Sequence, residues 1–550
     1  MSKQTRTSPY GRTGVFLFTA ACGLMAGLPA HAAETVPQEV QRLRAQLEAQ
    51  MKVSQAIQAR LEALEAREAA DAKAQAETKV QAEQVAAQAA TQAKTIAKLE
   101  ASSGDNGSFT MAGGRPTFTA FGGKGTLQIG LQAQFDAAAY FEDNASVKRS
   151  GVDLGDGVNA RRIRIPFVFR YGDVTATVTP DFGGSPDGRQ NTQYLYEANL
   201  AYMPFKGFTA ALGYLQPNIS LQDAPSSNDF MFMERPAIMD VERNIAAGDA
   251  RAAVGARYYQ DRFFVSGFLT GQAYGGQSTT TATSSVGATG SVTTAISTTQ
   301  PSNGQQTGAV MRVAGRPVYG EDYDVHLGFS GSKVFSMNQN DSNRLAQNLA
   351  LSVQPELRVD TSKLINTGSM PATGVYTWNP EVGLRYQNFL VQAEYVEIGI
   401  NRQHQAGAGL GGATQTPDLT FHGAYVDASW VLTGEPRLYQ SARGGFGGLK
   451  VAHPFNPETD DWGAFEVAAR YSDINLNSHV QRFLAQSVTG GVAGGQQDVI
   501  QLGLNWYPND HLKFMADYQI VDVSKLSGAT LQNQAGLRYQ AVGFRAQVAY

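Results

Sequence analysis

Ala160-Arg161-Arg162-Ile163-Arg164-Ile165-Pro166-Phe167-Val168-Phe169-Arg170-Tyr171 is the stretch on which the fold turns. Ile163, Ile165, Phe167, Phe169 and Tyr171 hold the odd positions, and Arg162, Arg164 and Arg170 hold even ones. Successive side chains of a strand point to opposite faces, so one face is apolar and the other carries three guanidinium groups. A soluble sandwich buries the apolar face and wets the arginines. A membrane barrel turns the apolar face to lipid and the arginines to a watery lumen. One strand does not decide between them.

The same alternation recurs along the chain. Leu127, Ile129 and Leu131 oppose Gln128, Gln132 and Gln134. Ala252, Val254, Ala256 and Tyr258 oppose Arg251 and Arg257, and Phe465, Val467, Ala469 and Tyr471 oppose Glu466 and Arg470. Ile500, Leu502, Leu504 and Trp506 oppose Gln501 and Asn505. Further strands are placed near 309–333 and 350–360. Aromatic residues often end these runs, where a bilayer interface holds them. Short turns at Gly172-Asp173, Gln260-Asp261 and Gln387-Asn388 alternate with long segments at 142–157, 182–192, 217–249, 272–319, 361–379, 401–418, 475–497 and 524–538. The pattern predicts an all-β transmembrane barrel of about 16 antiparallel strands over 125–550.

The segments before it differ. Lys3, Arg6 and Arg12 precede an apolar run from Gly14 to Leu28, and Ala30-His31-Ala32 is a small-x-small cleavage site, so 1–32 reads as an export signal. In 33–101, Val36, Val40, Leu43, Leu47, Ile57, Leu61 and Leu64 follow a 3.5-residue period with charged flanks. That predicts an α-helical coiled coil, either an oligomerisation stalk in the periplasm, in contact with peptidoglycan, or a solvated spacer. The Gly, Ser and Asn content from Ser102 to Gly114 marks a linker, so 102–124 is read as linker and barrel entry.

Composition excludes other classes. The chain has 550 residues, of which only 17% are charged, with 58 Gly, 27 Phe and 22 Tyr. Its one cysteine, Cys22, lies in the export signal, which leaves no disulfide framework or Cys-ligated metal site. A net charge of -4 gives no nucleic-acid footprint. The seven histidines form no zinc-protease motif, and no cofactor motif stands out. His422 and Asp427 fall on opposite faces, which argues against a hydrolase set with Ser429. No enzyme is expected.

Four motifs, in order, carry a family resemblance. Val158-Asn159-Ala160-Arg161-Arg162-Ile163-Arg164 is similar to the "N-x-R-R-x-R" strand of the phosphate-selective porin O/P family. Phe232-Met233-Glu234-Arg235-Pro236 resembles its third-loop "F-M-E-R" segment. Ser429-Trp430-Val431-Leu432-Thr433-Gly434-Glu435 resembles its "S-W-x-L-T-G-E" signature. Phe544-Arg545-Ala546-Gln547, with the terminal Tyr550, resembles its last strand. The resemblance implies a homotrimeric outer-membrane channel for small anions such as phosphate or polyphosphate. It also implies that 217–249 bends into the lumen as a constriction, and that the Gly-rich 433–461 enters from the periplasmic side.

By parity, Arg162, Arg164, Arg170, Arg251, Arg257, Arg385 and Arg470 point inward, and Arg235 and Arg243 lie in the constriction loop. Such a row is able to hand an oxyanion from one guanidinium to the next. The alternative is that the arginines pair with Glu197, Glu381, Glu394 and Glu466 and only brace the lumen. With 1–101 set aside, 32 basic and 38 acidic residues remain, and only eight of the basic ones are lysines. That balance keeps open a general solute porin. A structural anchor, tethering the outer membrane to the cell wall through the helix, is the third reading.

Overall fold

The computed structural model describes residues 107–184, 194–274, 306–337, 348–402, 417–485 and 489–550, with Lys94 and the backbone of the strands Thr279–Val286 and Val292–Thr299. The segments read as export signal and coiled coil, 1–32 and 33–101, lie outside the described residues, apart from Lys94, which is helical.

Alternating segments pair along their length with the next segment in the chain, because short turns return each strand beside its predecessor. Twenty strands make one antiparallel sheet. Its last strand, Arg538–Ala549, pairs back with Gln132–Glu142, placing Tyr539 opposite Glu142 and Ala549 opposite Gln132. The wall therefore closes on itself, with Gln132–Glu142 held between the last strand and Gly157–Arg164. Pro166 lacks an N–H and interrupts the ladder. Before it, Gly157–Arg164 runs against Gln132–Glu142; after it, Phe167–Tyr171 runs between Gly125–Ile129 and Val174–Pro180. Gly130 N donates to Pro166 O at 2.8 Å and bridges the break.

The wall is inside-out relative to a soluble protein. Val158, Leu269 and Met311 are 84%, 62% and 63% exposed, whereas Arg312, Asp427 and Glu466 are fully buried. Leaving a large apolar side chain in water forgoes roughly 1.5–3 kcal/mol. Phe135, Leu200, Leu212, Leu327, Leu384 and Phe544 are only some of those exposed, so the total reaches tens of kcal/mol. Hydrocarbon around the wall removes that cost. At the short-turn end, Phe455, Trp462, Phe465, Trp506 and Phe514 form an aromatic belt with ring centroids 5.3–6.2 Å apart.

Two segments differ from the sequence reading. Within 102–124, Ser108–Ala112 and Arg115–Ala120 form a hairpin whose second strand pairs with Gly125–Ile129. Gly113 and Gly114, both at positive φ, make its two-residue turn. The segment 350–360 is not a wall strand. Ser352-Val353 pairs locally with Ile365-Asn366, and Leu351, Val353 and Leu357 are buried against the loop interior. Its alternation comes from packing inside the bore, not from a lipid face.

The apolar core lies inside the wall. The segment 217–249 is almost wholly buried and contains the helix Ala237–Ala246. Met233, Ile238, Met239 and Ile245 pack with Leu351, Leu357 and the inward-facing Val396, Phe421, Ile474 and Leu476. Wall glycines make the room: a Cβ at Gly543 would stand 2.9 Å from Met233 Sδ, and one at Gly423 2.9 Å from the Ile238 side chain.

Candidate functional site

The arginine strand carries a bulge. Gln134 opposes Arg162 but Phe135 opposes Ala160, so Arg161 is the extra residue. A bulge re-aims side chains, and here both arginines reach the loop carboxylate Glu234. Arg161 Nε donates to Glu234 Oε1 at 2.8 Å, and Arg162 donates to both Glu234 oxygens at 3.2 Å. Arg545 Nη2 adds a third guanidinium at 2.7 Å while chelating Asp136 at 2.6 Å. Burial pushes the Glu234 carboxyl up, but the three arginines outweigh it and hold the group well below the usual carboxylate range.

Most of the other inward arginines are engaged too. Arg164 donates to Asp181 at 2.7 Å and stacks on Tyr196. Arg235 and Arg243 share Asp223 at 3.1 and 3.0 Å, and Arg243 also takes Asp249 at 2.7 Å. Arg385 pairs with Asp324 at 2.6 Å and Arg470 with Asp427 at 2.6 Å. Arg251 donates to the carbonyls of Asn244 and Ala247, capping the loop helix's C-terminus. Arg170 is exposed beside the Gly172 turn.

The bracing partners are thus mainly aspartates and Glu234. Among the expected glutamates, Glu381 pairs with Arg312 at 2.7 Å and Glu466 with Arg437 at 2.5 Å. Glu394 accepts from the backbone N–H of Leu221 (3.0 Å) and Gln222 (2.8 Å), tying the loop to the wall. Glu197 accepts from Thr179 and Asn199.

Sequence reading missed Arg161, Arg312, Arg437, Arg443 and Arg545 as site residues. Parity was able to find Arg312, which alternates with the outward Met311 and Val313. Its guanidinium grips Glu381 and also donates to Arg443 O at 2.9 Å and Gly444 O at 2.6 Å. Those carbonyls belong to the tip of 433–461. The part around Gly444–Gly448 therefore lies within the wall, where Gly445 abuts Ala224 and Leu221 of the other loop.

The sequence profile of the phosphate-selective porin O and P family matches residues 127–550. The chain belongs to that family. Porin O of Pseudomonas aeruginosa is 28% identical over 150 residues, spanning 27% of this chain and 30% of that protein. An uncharacterised protein of Caulobacter vibrioides is 25% identical over 426 residues, covering 74% of this chain and 71% of its own. Among solved structures, the anion-selective porin of Comamonas acidovorans is 12% identical, with a TM-score of 0.40 over 78% of this chain and all of its own. OmpT of Vibrio cholerae is 11% identical, with a TM-score of 0.42 over 78% of this chain and 99% of its own.

The porin's inner wall is not uniform. Opposite the loop-packed side, the inward positions Ala201, Ala211, Gly213, Ala253 and Gly255 are small and half-exposed. Beside them stands Arg257, whose Nε is buried with no hydrogen-bond partner and which forms no ion pair among the described residues. Arg443 is exposed on the tip that Arg312 holds. Arg443 donates to Ala224 O at 3.2 Å and pairs with no described carboxylate.

Proposed function

We propose that this porin is a passive channel for small anions, and that Arg257 and Arg443 supply the preference. One observation carries the reading. Most other inward arginines are matched by a carboxylate, which cancels their field at the range of a passing ion, whereas these two meet none among the described residues. The matched arginines brace the loops, so the continuous guanidinium ladder is replaced by one cationic step. A single step selects by charge, which favours general anion passage over strict phosphate specificity.

The twenty strands reduce to about sixteen wall strands when the hairpin before Gly125 is left out and the segments flanking Gly130 and Pro166 are joined. A homotrimer, constriction by 217–249 and a periplasmic helical stalk complete the proposal. Family membership and the buried loop support the first two, and the heptad pattern supports the third.

The test is a reversal potential across a planar bilayer under a KCl gradient. Wild type should favour chloride, and the R257Q/R443Q pair should move towards no preference. A cation preference in wild type, or an unchanged potential in the double variant, sinks the assignment. Stronger current block by phosphate than by sulfate would restore phosphate specificity.

A further inference from the structure

The loop helix Ala237–Ala246 carries one acid with no countercharge. Glu242 is fully buried, and among the described residues no arginine, lysine or histidine lies within ion-pairing distance. Its Oε2 accepts from Asn379 Nδ2 at 3.1 Å. The same nitrogen donates to Glu394 Oε2 at 2.8 Å. Two buried carboxylates therefore meet at one amide.

Their surroundings differ. Glu394 also accepts from Leu221 N, Gln222 N and the Tyr425 hydroxyl at 2.6 Å, so its oxygens are well supplied with donors. Glu242 has the single amide contact. Its other oxygen, Oε1, is buried without a partner, and so is Asn379 Oδ1. Both are acceptors while the acid is ionised. Buried polar atoms are rarely left bare, because each costs about 1–3 kcal/mol. The other charged groups facing Glu242 are Asp223 and Glu381, both already bound to arginines. Arg243, the next residue on the helix, is spent on Asp223 and Asp249.

We propose that Glu242 is a positioning residue carried as a neutral carboxylic acid, its Oε1–H donating to Asn379 Oδ1, and that this acid–amide contact pins the constriction helix to the wall. One proton supplies the donor that both bare oxygens lack. It also removes the repulsion between two carboxylates across a shared amide. Burial, then Glu394, drives the Glu242 carboxyl well above its ordinary range, in keeping with the geometry. The proposal rests on 217–249 narrowing the bore.

The sign follows. A group whose proton affinity is raised by folding stabilises the folded arrangement while protonated and loses that contribution as pH rises through its folded value. The pin should hold while the carboxyl is protonated and loosen as pH rises through its folded value. The released population should grow about tenfold per pH unit below the midpoint.

Two measurements on the full-length porin test it. Infrared difference spectra of wild type against E242Q should show a protonated carboxyl band at neutral pH that the variant lacks. In bilayers, gating events of wild type should multiply with rising pH, while E242Q, a neutral isostere with both donor and acceptor, should stay quiet throughout. Absence of the band, or an alkaline transition surviving in E242Q, overturns the proposal. The infrared arm does not depend on conductance, so a protein that fails to conduct defeats the porin reading without bearing on the proton.

Discussion

Replacing Arg312 by Met tests how the segment 433–461 is held in the bore. The side chain is fully buried, and its two-pronged contact with Glu381 is 2.8 and 2.7 Å long. Its remaining donor capacity goes to Arg443 O, Gly444 O and Asn218 Oδ1. Removing one partner of a buried ion pair costs about 3–5 kcal/mol, mostly because the other charge is left stranded. His326 Nε2 lies 3.3 Å from Glu381 and provides partial compensation, which places R312M near ~3 kcal/mol. E381Q in the same background removes the stranded charge and should recover much of that loss. The two contacts to the loop carbonyls are not recovered.

Urea unfolding of the refolded porin in lipid vesicles measures the first quantity, as a double-mutant cycle over Arg312 and Glu381. Reversal potential measures the second. With the Arg443–Gly444 tip untied, Arg443 leaves the passage, so R312M/E381Q should be nearly as stable as wild type yet less anion-selective. A single variant that loses under ~1 kcal/mol, or a double variant with wild-type selectivity, refutes the idea that Arg312 positions the tip.

Glu234 behaves oppositely to Glu242 in pH. Its folded affinity for a proton is depressed, so its contribution is present above the unfolded carboxylate value and disappears only as pH falls through the lower folded one. Conductance should therefore stay steady through mildly acidic pH, and E234Q should destabilise the loop even at neutrality; an E234Q channel with wild-type noise and unfolding midpoint contradicts this. On the outside of the wall, Leu502 is 54% exposed at mid-strand, and L502K should cost about 2–4 kcal/mol in vesicle unfolding if that face meets hydrocarbon. A neutral result there would mean that the face is wet.

The wall was legible because one physical demand repeats along it. Every strand must show hydrocarbon one face, so Leu200, Leu212, Val254 and Leu502 announce themselves by parity alone. The lumen obeys no such period. Arg545 meets Asp136 across 409 residues, and Arg162 meets Glu234 across 72. Nothing local in the sequence reports those pairings. Parity located Arg251 on the inner face, but the nearby helix end claimed it, because the carbonyls of Asn244 and Ala247 needed donors. Arg161 escaped for the opposite reason: the bulge cancels the parity rule at that residue.

Of the glutamates expected to brace the lumen, Glu466 meets its arginine on 433–461 and Glu381 on the inward face of Thr307–Tyr319, whereas Glu394 and Glu197 pair with no arginine among the described residues. A closed wall therefore fixes which side each residue faces, while inserted loops decide which charges survive uncancelled. Selectivity in such a protein is a remainder. On the proposed reading it falls to Arg257 and Arg443, which pair with no acid among the described residues.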